Sequence, residues 1–347
     1  MPKRPRQEPV ADPSSVWDGC PRRVGFVIIP GFSLMALSSA MEPLRSVNRL
    51  TGDQRYIWDV ISLEPGQVEA SNGLTVLAAY GIANAPKADL TIVVASLDLE
   101  ALNDRALTNF LRQIRQRRGM LGAISNGSLI LARAGLLDGR QATIHWEMQN
   151  LLAESFPRVD VSDQLFCWDG DLLTCGGGNA SMDMMLEFIS RKDGHEVAVG
   201  VSEQFLHGPA RGAAECQRQD VRWRYRITDP RLETVIRVME NRMGNPVKVS
   251  KLAEIADLSE HQLERLFHAE FHKAPSEFYL ELRLKAARAR LLGSTDSIES
   301  IADATGFSSQ AHFSRATKDW CGESPLVIRR KHRSANVGLL QKSGETT

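Results

Sequence analysis

The chain of 347 residues is 43% hydrophobic and 24% charged, with 26 Gly and 15 Pro, which excludes a disordered tail, a collagen-like rod and a disulfide-stapled mini-protein. Its length is enough for two or more domains, each with a core of its own. The formal net charge of zero conceals an asymmetry of −5 over residues 1–210 and +5 over residues 211–347, so only the rear has the balance of a surface facing phosphate, although ordinary scatter also gives imbalances of this size.

Residues 1–21 are rich in Pro and charge without periodicity and predict a flexible segment, not a signal peptide, which would need an apolar stretch. Val24–Ile29 is a β-rich apolar run stopped by Pro30 and Gly31, and Leu34–Leu50 carries apolar residues at helical spacing. Tyr56–Leu63, Leu74–Ala78, Leu90–Ala95 and Leu121–Ser125 read as further buried strands, with an Arg-rich amphipathic helix over Leu102–Arg118. Strands alternating with helices predict a parallel α/β sheet, and helices at Ala180–Arg191 and His195–Leu206 close this portion. Residues 207–228 are polar and basic without sustained periodicity and predict a linker. Residues 229–334 show only helical segments punctuated by Gly, Pro and Ser, a separate all-α domain, with a flexible tail at 335–347. No run approaches the ~18 apolar residues that span a bilayer. The five cysteines, Cys20, Cys167, Cys175, Cys216 and Cys321, form no C-x-x-C pair, and no metal or cofactor motif is present. A cytoplasmic protein with reduced thiols is expected.

Gly122-Ala-Ile-Ser-Asn-Gly-Ser128 ends a strand and opens a helix at Leu129, the layout of a nucleophile elbow with Ser125 at its tip. The helix N-terminus next to Asn126 would offer N–H groups to an anion. A serine hydroxyl needs an adjacent base to act as nucleophile, and His145 with Glu147 would supply base and orienter if both lay on one face of a strand. Cys175, before Gly176-Gly-Gly178, is a second candidate thiol, or the glycine run marks close backbone packing. Phe32, Trp146 and Trp168 are candidates for an aromatic wall around a quaternary ammonium group, or else core residues.

The rear portion contains a repeat. Leu252-Ala-Glu-Ile-Ala-Asp-Leu-Ser259 matches Ile301-Ala-Asp-Ala-Thr-Gly-Phe-Ser308 at an offset of 49, and Leu263–Phe267 matches Phe313–Thr317 and Pro275 matches Pro325 at an offset of 50. Each copy reads as helix, tight turn ending in Ser, and second helix, with Ser259 and Gln262 forming a capping box. This is a helix-turn-helix written twice. A joining helix over Ser276–Leu292 spans roughly 25 Å, which suits two recognition helices about 34 Å apart in successive major grooves. Arg283, Lys285, Arg288 and Arg290 make that helix basic.

These residues resemble the AraC/XylS transcriptional regulators, through Leu258–Phe267, Arg283–Leu292, Ile301–Arg315 and Gly322–Pro325. The resemblance implies that His261, Gln262, Glu264 and Arg265 of the first recognition helix, and Gln310, Ala311, Ser314 and Arg315 of the second, meet the bases. Arg265 and Arg315 would then suit guanine, and Gln310 adenine. Two positions depart from the family pattern: Thr317 stands for a Phe and His272 for a Gly. Residues 22–206, through Gly122–Ser128 and Leu131–Trp146, are similar to the PfpI-like, class I glutamine amidotransferase-like domains of one branch of these regulators. That likeness implies a flavodoxin-like α/β sandwich.

Catalytic relatives carry Cys where Ser125 stands and often His where Asn126 stands. They also place an acid soon after the first strand's Gly-Phe turn, where the nearest here is Glu42. Catalysis is therefore not expected, and a binding pocket is. Thr174–Leu186 resembles the regulators that answer to betaine, carnitine and amino-acid-derived metabolites. Phe32, Ser125, Asn126, His145 and Trp146 would line the site, with N–H groups near Asn126 on a ligand carboxylate.

The expectation is a ligand-responsive, DNA-binding transcriptional activator, dimeric, that contacts promoter DNA, a small-molecule effector and RNA polymerase and uses no cofactor. Two alternatives stand beside it: a bifunctional, Ser125-dependent hydrolase or amidotransferase-like enzyme with a DNA-binding tail, and a constitutive DNA-binding protein whose front domain only dimerises.

Overall fold

The computed structural model describes residues 18–96, 104–294 and 296–331. The tail expected at 335–347 and residues 1–17 of the expected front segment lie outside them. The described residues divide into two compact units, one of 18–96, 104–145 and 152–215, the other of 146–151, 216–294 and 296–331.

In the first unit, β1 (Arg22–Ile28) leads through the Pro30-Gly31 turn to α1 (Leu34–Thr51), capped by the Ser33 hydroxyl, which accepts from the Ala36 N–H. Then come β2 (Tyr56–Ser62), a hairpin of β3 (Gly66–Glu69) and β4 (Thr75–Ala78), and β5 (Tyr80–Gly81). β6 (Leu90–Ala95), α2 (Arg105–Gln116), β7 (Met120–Ser125) and α3 (Gly127–Arg133) follow. β8 (Gln141–Thr143), α4 (Gln149–Ser155), β9 (Asp160–Ser162), β10 (Phe166–Asp169) and β11 (Leu172–Cys175) lead to α5 (Ala180–Asp193) and α6 (His195–Gln204).

Seven strands form one sheet in the order β10-β11-β7-β6-β1-β2-β5, parallel except where edge strand β10 runs against β11. All six residues of β6 are buried, as a parallel strand covered on both faces requires. The chain winds outward in both directions from β1, which places the topological switch beside the carboxyl ends of β1, β6 and β7, the region where open sheets of this kind take ligands. Phe26, Ile28, Ile92, Val94 and Leu44 lie in one fully buried cluster, each worth about 1.5–3 kcal/mol against exposure.

The expected buried strand at Leu74–Ala78 is instead the outer arm of the β3–β4 hairpin, with Leu77 68% exposed. An apolar run of this length does not distinguish a buried sheet strand from an exposed hairpin arm. Strands β8 to β11 were not anticipated: three or four residues each, they give too few periods for a pattern.

The second unit's rear portion is helical throughout its described residues: α7 (Val221–Tyr225), α8 (Pro230–Asn241), α9 (Val249–Ile255), α10 (Glu260–Phe271), α11 (Pro275–Gly293), α12 (Ile298–Ala304) and α13 (Gln310–Cys321). The stretch expected to be linker holds α7, pinned because Arg224 donates to both carboxylate oxygens of Glu240 at 2.7 Å. Two apolar cores form, one around Leu232, Leu263, Phe267 and Phe278, the other around Leu284, Ile301, Phe307 and Phe313. α11 contributes to both.

Candidate functional site

Ser125 closes β7 with φ +56°, a left-handed conformation that costs a non-glycine residue about 1–2 kcal/mol. Glycines make room for the bend. A Cβ on Gly127 would stand 2.5 Å from the Val93 carbonyl, and one on Gly177 (φ +98°) would stand 2.9 Å from the Ser125 Cβ. Gly177 thus serves close packing over the elbow, whereas a Cβ on Gly178 would meet nothing within 4 Å. Ser125 is 8% exposed, and among the described residues its hydroxyl has no hydrogen-bond partner.

Asn126 is buried; its Nδ2 donates to the Ser96 carbonyl at 2.9 Å, while its Oδ1 has no partner among the described residues. Its backbone N–H donates to the Ala95 carbonyl at 3.3 Å. α3 begins here and has only seven residues. The Ser128 hydroxyl, fully buried, donates to the Thr143 carbonyl at 2.6 Å and fastens α3 to β8.

Phe32 is fully buried: the Gly31 N–H donates to Glu69 and the Ser71 N–H to Phe32, so the β3–β4 hairpin is stitched across the turn that carries it. His145 is half-buried beyond the end of β8, and Glu147 sits in the 3-10 turn Trp146–Met148, so the two do not share a strand face. Trp146 belongs to the second unit, where the Arg218 guanidinium lies 4.5 Å from its ring. Trp168 stacks on Phe188 with ring centroids 6.0 Å apart, and the Arg191 guanidinium lies 4.2 Å from its ring centre. Glu42 pairs with Arg45 at 2.6 Å on the surface of α1. The Cys175 thiol is fully buried and accepts from the Gly177 N–H, and burial pushes it up to about 12, the opposite of an activated nucleophile.

One cluster had no forecast. Asp183, fully buried in the first turn of α5, accepts from Arg211 Nη2 at 2.6 Å, Nε at 3.1 Å and backbone N–H at 2.9 Å, and lies 3.1 Å from His207 Nε2. The available signal was an Asp inside a helix face otherwise filled by Met184, Met185 and Phe188.

In the second unit, α9–α10 and α12–α13 repeat one another in detail. Asp257 and Gly306 both turn left-handed, at φ +54° and +73°. The next residue donates back in each, Leu258 to Ala253 and Phe307 to Ala302, both at 2.9 Å. Ser259 and Ser309 cap the second helices. His261, Gln262, Glu264 and Arg265 are exposed, as are Gln310, Ala311 and Arg315; Ser314 is half-buried. Arg265 and Arg315 make no ion pair or hydrogen bond among the described residues. Gln262 is partly committed, because its Oε1 accepts from the Ser259 N–H at 2.9 Å in the capping box.

The joining helix is less available to DNA than its basic sequence suggested. Arg290 is buried, Lys285 pairs with Glu281 at 3.0 Å, and Arg283 turns inward; Arg288 is exposed. Of the two departures from the family pattern, Thr317 is buried with its hydroxyl unpartnered among the described residues, and His272 ends α10 at φ +55°. No described helix is long and apolar enough to cross a membrane, and no described group of three or more His, Cys, Asp or Glu is placed to hold a metal.

Residues 22–191 match the DJ-1/PfpI family and residues 252–331 a helix-turn-helix domain. Among curated proteins, the chain is 42% identical over 305 residues to the HTH-type transcriptional regulator CdhR of Pseudomonas aeruginosa, covering 88% of this chain and 90% of that one. It is 39% identical over 306 residues to the HTH-type transcriptional regulator GbdR of the same species, covering 88% and 83%. Among solved structures, a THiJ/PfpI family protein from Pseudomonas syringae aligns over 73% of this chain and 97% of its own at 19% identity, with a TM-score of 0.51, a likeness of fold.

Proposed function

The chain belongs to the AraC-type transcriptional regulators that carry a DJ-1/PfpI-like domain, and on that footing we propose that its front unit senses a small metabolite and thereby biases how the two helix-turn-helix motifs engage promoter DNA. The observation that carries this reading is the elbow: the strained turn is kept, yet its tip holds a hydroxyl with no base bonded to it among the described residues. Differential affinity for ligand is then the work of the front unit, not bond-making.

The elbow presents two acceptors without partners of their own, the Ser125 hydroxyl and the buried Asn126 Oδ1, while Phe32, Trp146 and Trp168 are each occupied elsewhere. Acceptors in place of aromatic faces favour an amino-acid-derived effector with N–H donors over a fully methylated ammonium. Activation through RNA polymerase, a dimeric state and a cytoplasmic location complete the proposal.

A thermal-shift panel of amino acids, their decarboxylated amines and methylated amines tests it; a ligand at 100 times its Kd stabilises by about 2.7 kcal/mol. Silence across the panel would leave the constitutive alternative. The enzymatic reading has one supporting observation, the left-handed, elbow-like turn that holds Ser125. Amide or ester turnover lost in Ser125→Ala would establish it and defeat the pure sensor.

A further inference from the structure

We propose that Arg283 is a positioning residue that locks the two helix-turn-helix motifs into one reader of fixed spacing, and that it does not contact DNA. Two separate apolar cores, one under each motif, share only α11, whose Phe278, Tyr279 and Leu282 serve the first and whose Leu284, Ala287 and Leu291 serve the second. A single shared helix leaves the second motif to pivot on one contact face. Arg283 stands at the changeover. Its Nε donates to the Thr305 carbonyl at 2.7 Å and its Nη2 to the Gly306 carbonyl at 2.5 Å, and its guanidinium lies 4.3 Å from the Phe307 ring. All three partners belong to the tight turn of the second motif.

The same turn abuts the loop that precedes the first motif. A Cβ on Gly306 would stand 2.5 Å from the Met243 carbonyl and 2.6 Å from Pro246, and one on Gly244 would stand 2.9 Å from the Ala304 carbonyl. That loop is held in turn by Tyr279, one helical turn before Arg283. The Tyr279 hydroxyl donates to the Arg242 carbonyl at 2.7 Å and accepts from the Val247 N–H at 3.4 Å. Tyr279 and Arg283 therefore grip the loop and the turn from one face of α11, and the contact without side chains between them leaves no slack. A reader so fixed recognises half-sites at one separation and one phase along the duplex.

The inference rests on duplex reading by the full chain. Preferred duplexes are selected from a random-sequence pool, then one to five base pairs are inserted between the two protected half-sites and affinity is measured at fixed salt. Each inserted pair displaces the second site by about 3.4 Å and rotates it by about 35°, so wild-type affinity should fall at least about tenfold on the first insertion. In Arg283→Gln the uninterrupted site should weaken by about tenfold, single half-sites should bind unchanged, and the insertion penalty should shrink below about threefold. Gly306→Ala should behave alike with Arg283 intact, by forcing the turn off the loop. A wild type indifferent to insertion would overturn the proposal. So would an Arg283→Gln that keeps the full insertion penalty, or one that weakens every duplex equally with a salt slope reduced by about one, the signature of a phosphate contact. Failure to select any duplex would instead defeat DNA reading itself.

Discussion

Arg265 and Arg315 occupy equivalent places in the two copies of the repeat, fifty residues apart, each exposed one turn and a half into its recognition helix and each without an ionic partner among the described residues. Arg224 and Arg237 are paired to carboxylates, whereas these two guanidinium groups are left for an external partner. Arg265→Ala and Arg315→Ala should each cost about 1–3 kcal/mol of specific DNA affinity and relax preference at one base pair. Fluorescence anisotropy on selected and base-substituted duplexes reads this; unchanged binding in both variants would remove the assigned recognition helices.

The grip of Arg211 on Asp183 fixes residues 207–211 to the front unit. Arg211→Ala leaves a fully buried carboxylate with His207 and should lower stability by about 1–3 kcal/mol. Limited proteolysis should then cut near residues 207–213 sooner than in wild type. Equal cleavage rates would mean the segment is held by other contacts.

Thr317 buries a hydroxyl that finds no acceptor. Thr317→Val keeps the shape and removes the unpaired group, so unfolding free energy should rise by about 1 kcal/mol. A fall in the denaturant midpoint would show that the hydroxyl is bonded in solution.

His272 closes α10 in the left-handed region that favours glycine. His272→Gly should stabilise by about 0.5–1 kcal/mol, the relief of backbone strain less the entropy of a freer unfolded chain. Thermal unfolding with and without this change decides it.

The thiols give a pH dependence. Burial pushes Cys175 up to about 12 and Cys167 up to about 11, from an ordinary value of 9.0. An unfolded chain sheds these protons near pH 9 while the folded chain retains them, so their contribution to stability is present below pH 9 and is lost as pH rises toward 11 and 12. At pH about 8 a thiol reagent should modify the exposed Cys20, Cys216 and Cys321 in the native protein and reach Cys167 and Cys175 only after unfolding.

The alternation of strong β-runs with amphipathic helices made the front sheet legible, because β1, β6 and β7 are long and mostly buried. The helix-turn-helix pair was legible for a different reason: a duplicated pattern tests itself, and Asp257 with Gly306 show the two turns agreeing to the hydrogen bond. Ser125 was readable as an elbow because the bend needs small neighbours at fixed offsets. Its surroundings were not. Phe32 and Trp146 lie in sequence beside the right strand ends, yet which face of an aromatic ring is covered depends on the hairpin at Glu69 and on Arg218, partners that no local pattern announces. Arg283 was misread for the same reason, since charge on a helix says nothing of which carbonyls lie across from it.

The shape of the Ser125 bend is imposed by Gly127 and Gly177, whose missing Cβ atoms provide the clearance, and owes little to the hydroxyl at its apex. The apex is therefore an interchangeable socket. A thiol, a hydroxyl or a bare methyl seats there on an unaltered chassis, so the bend outlasts whatever its tip carries.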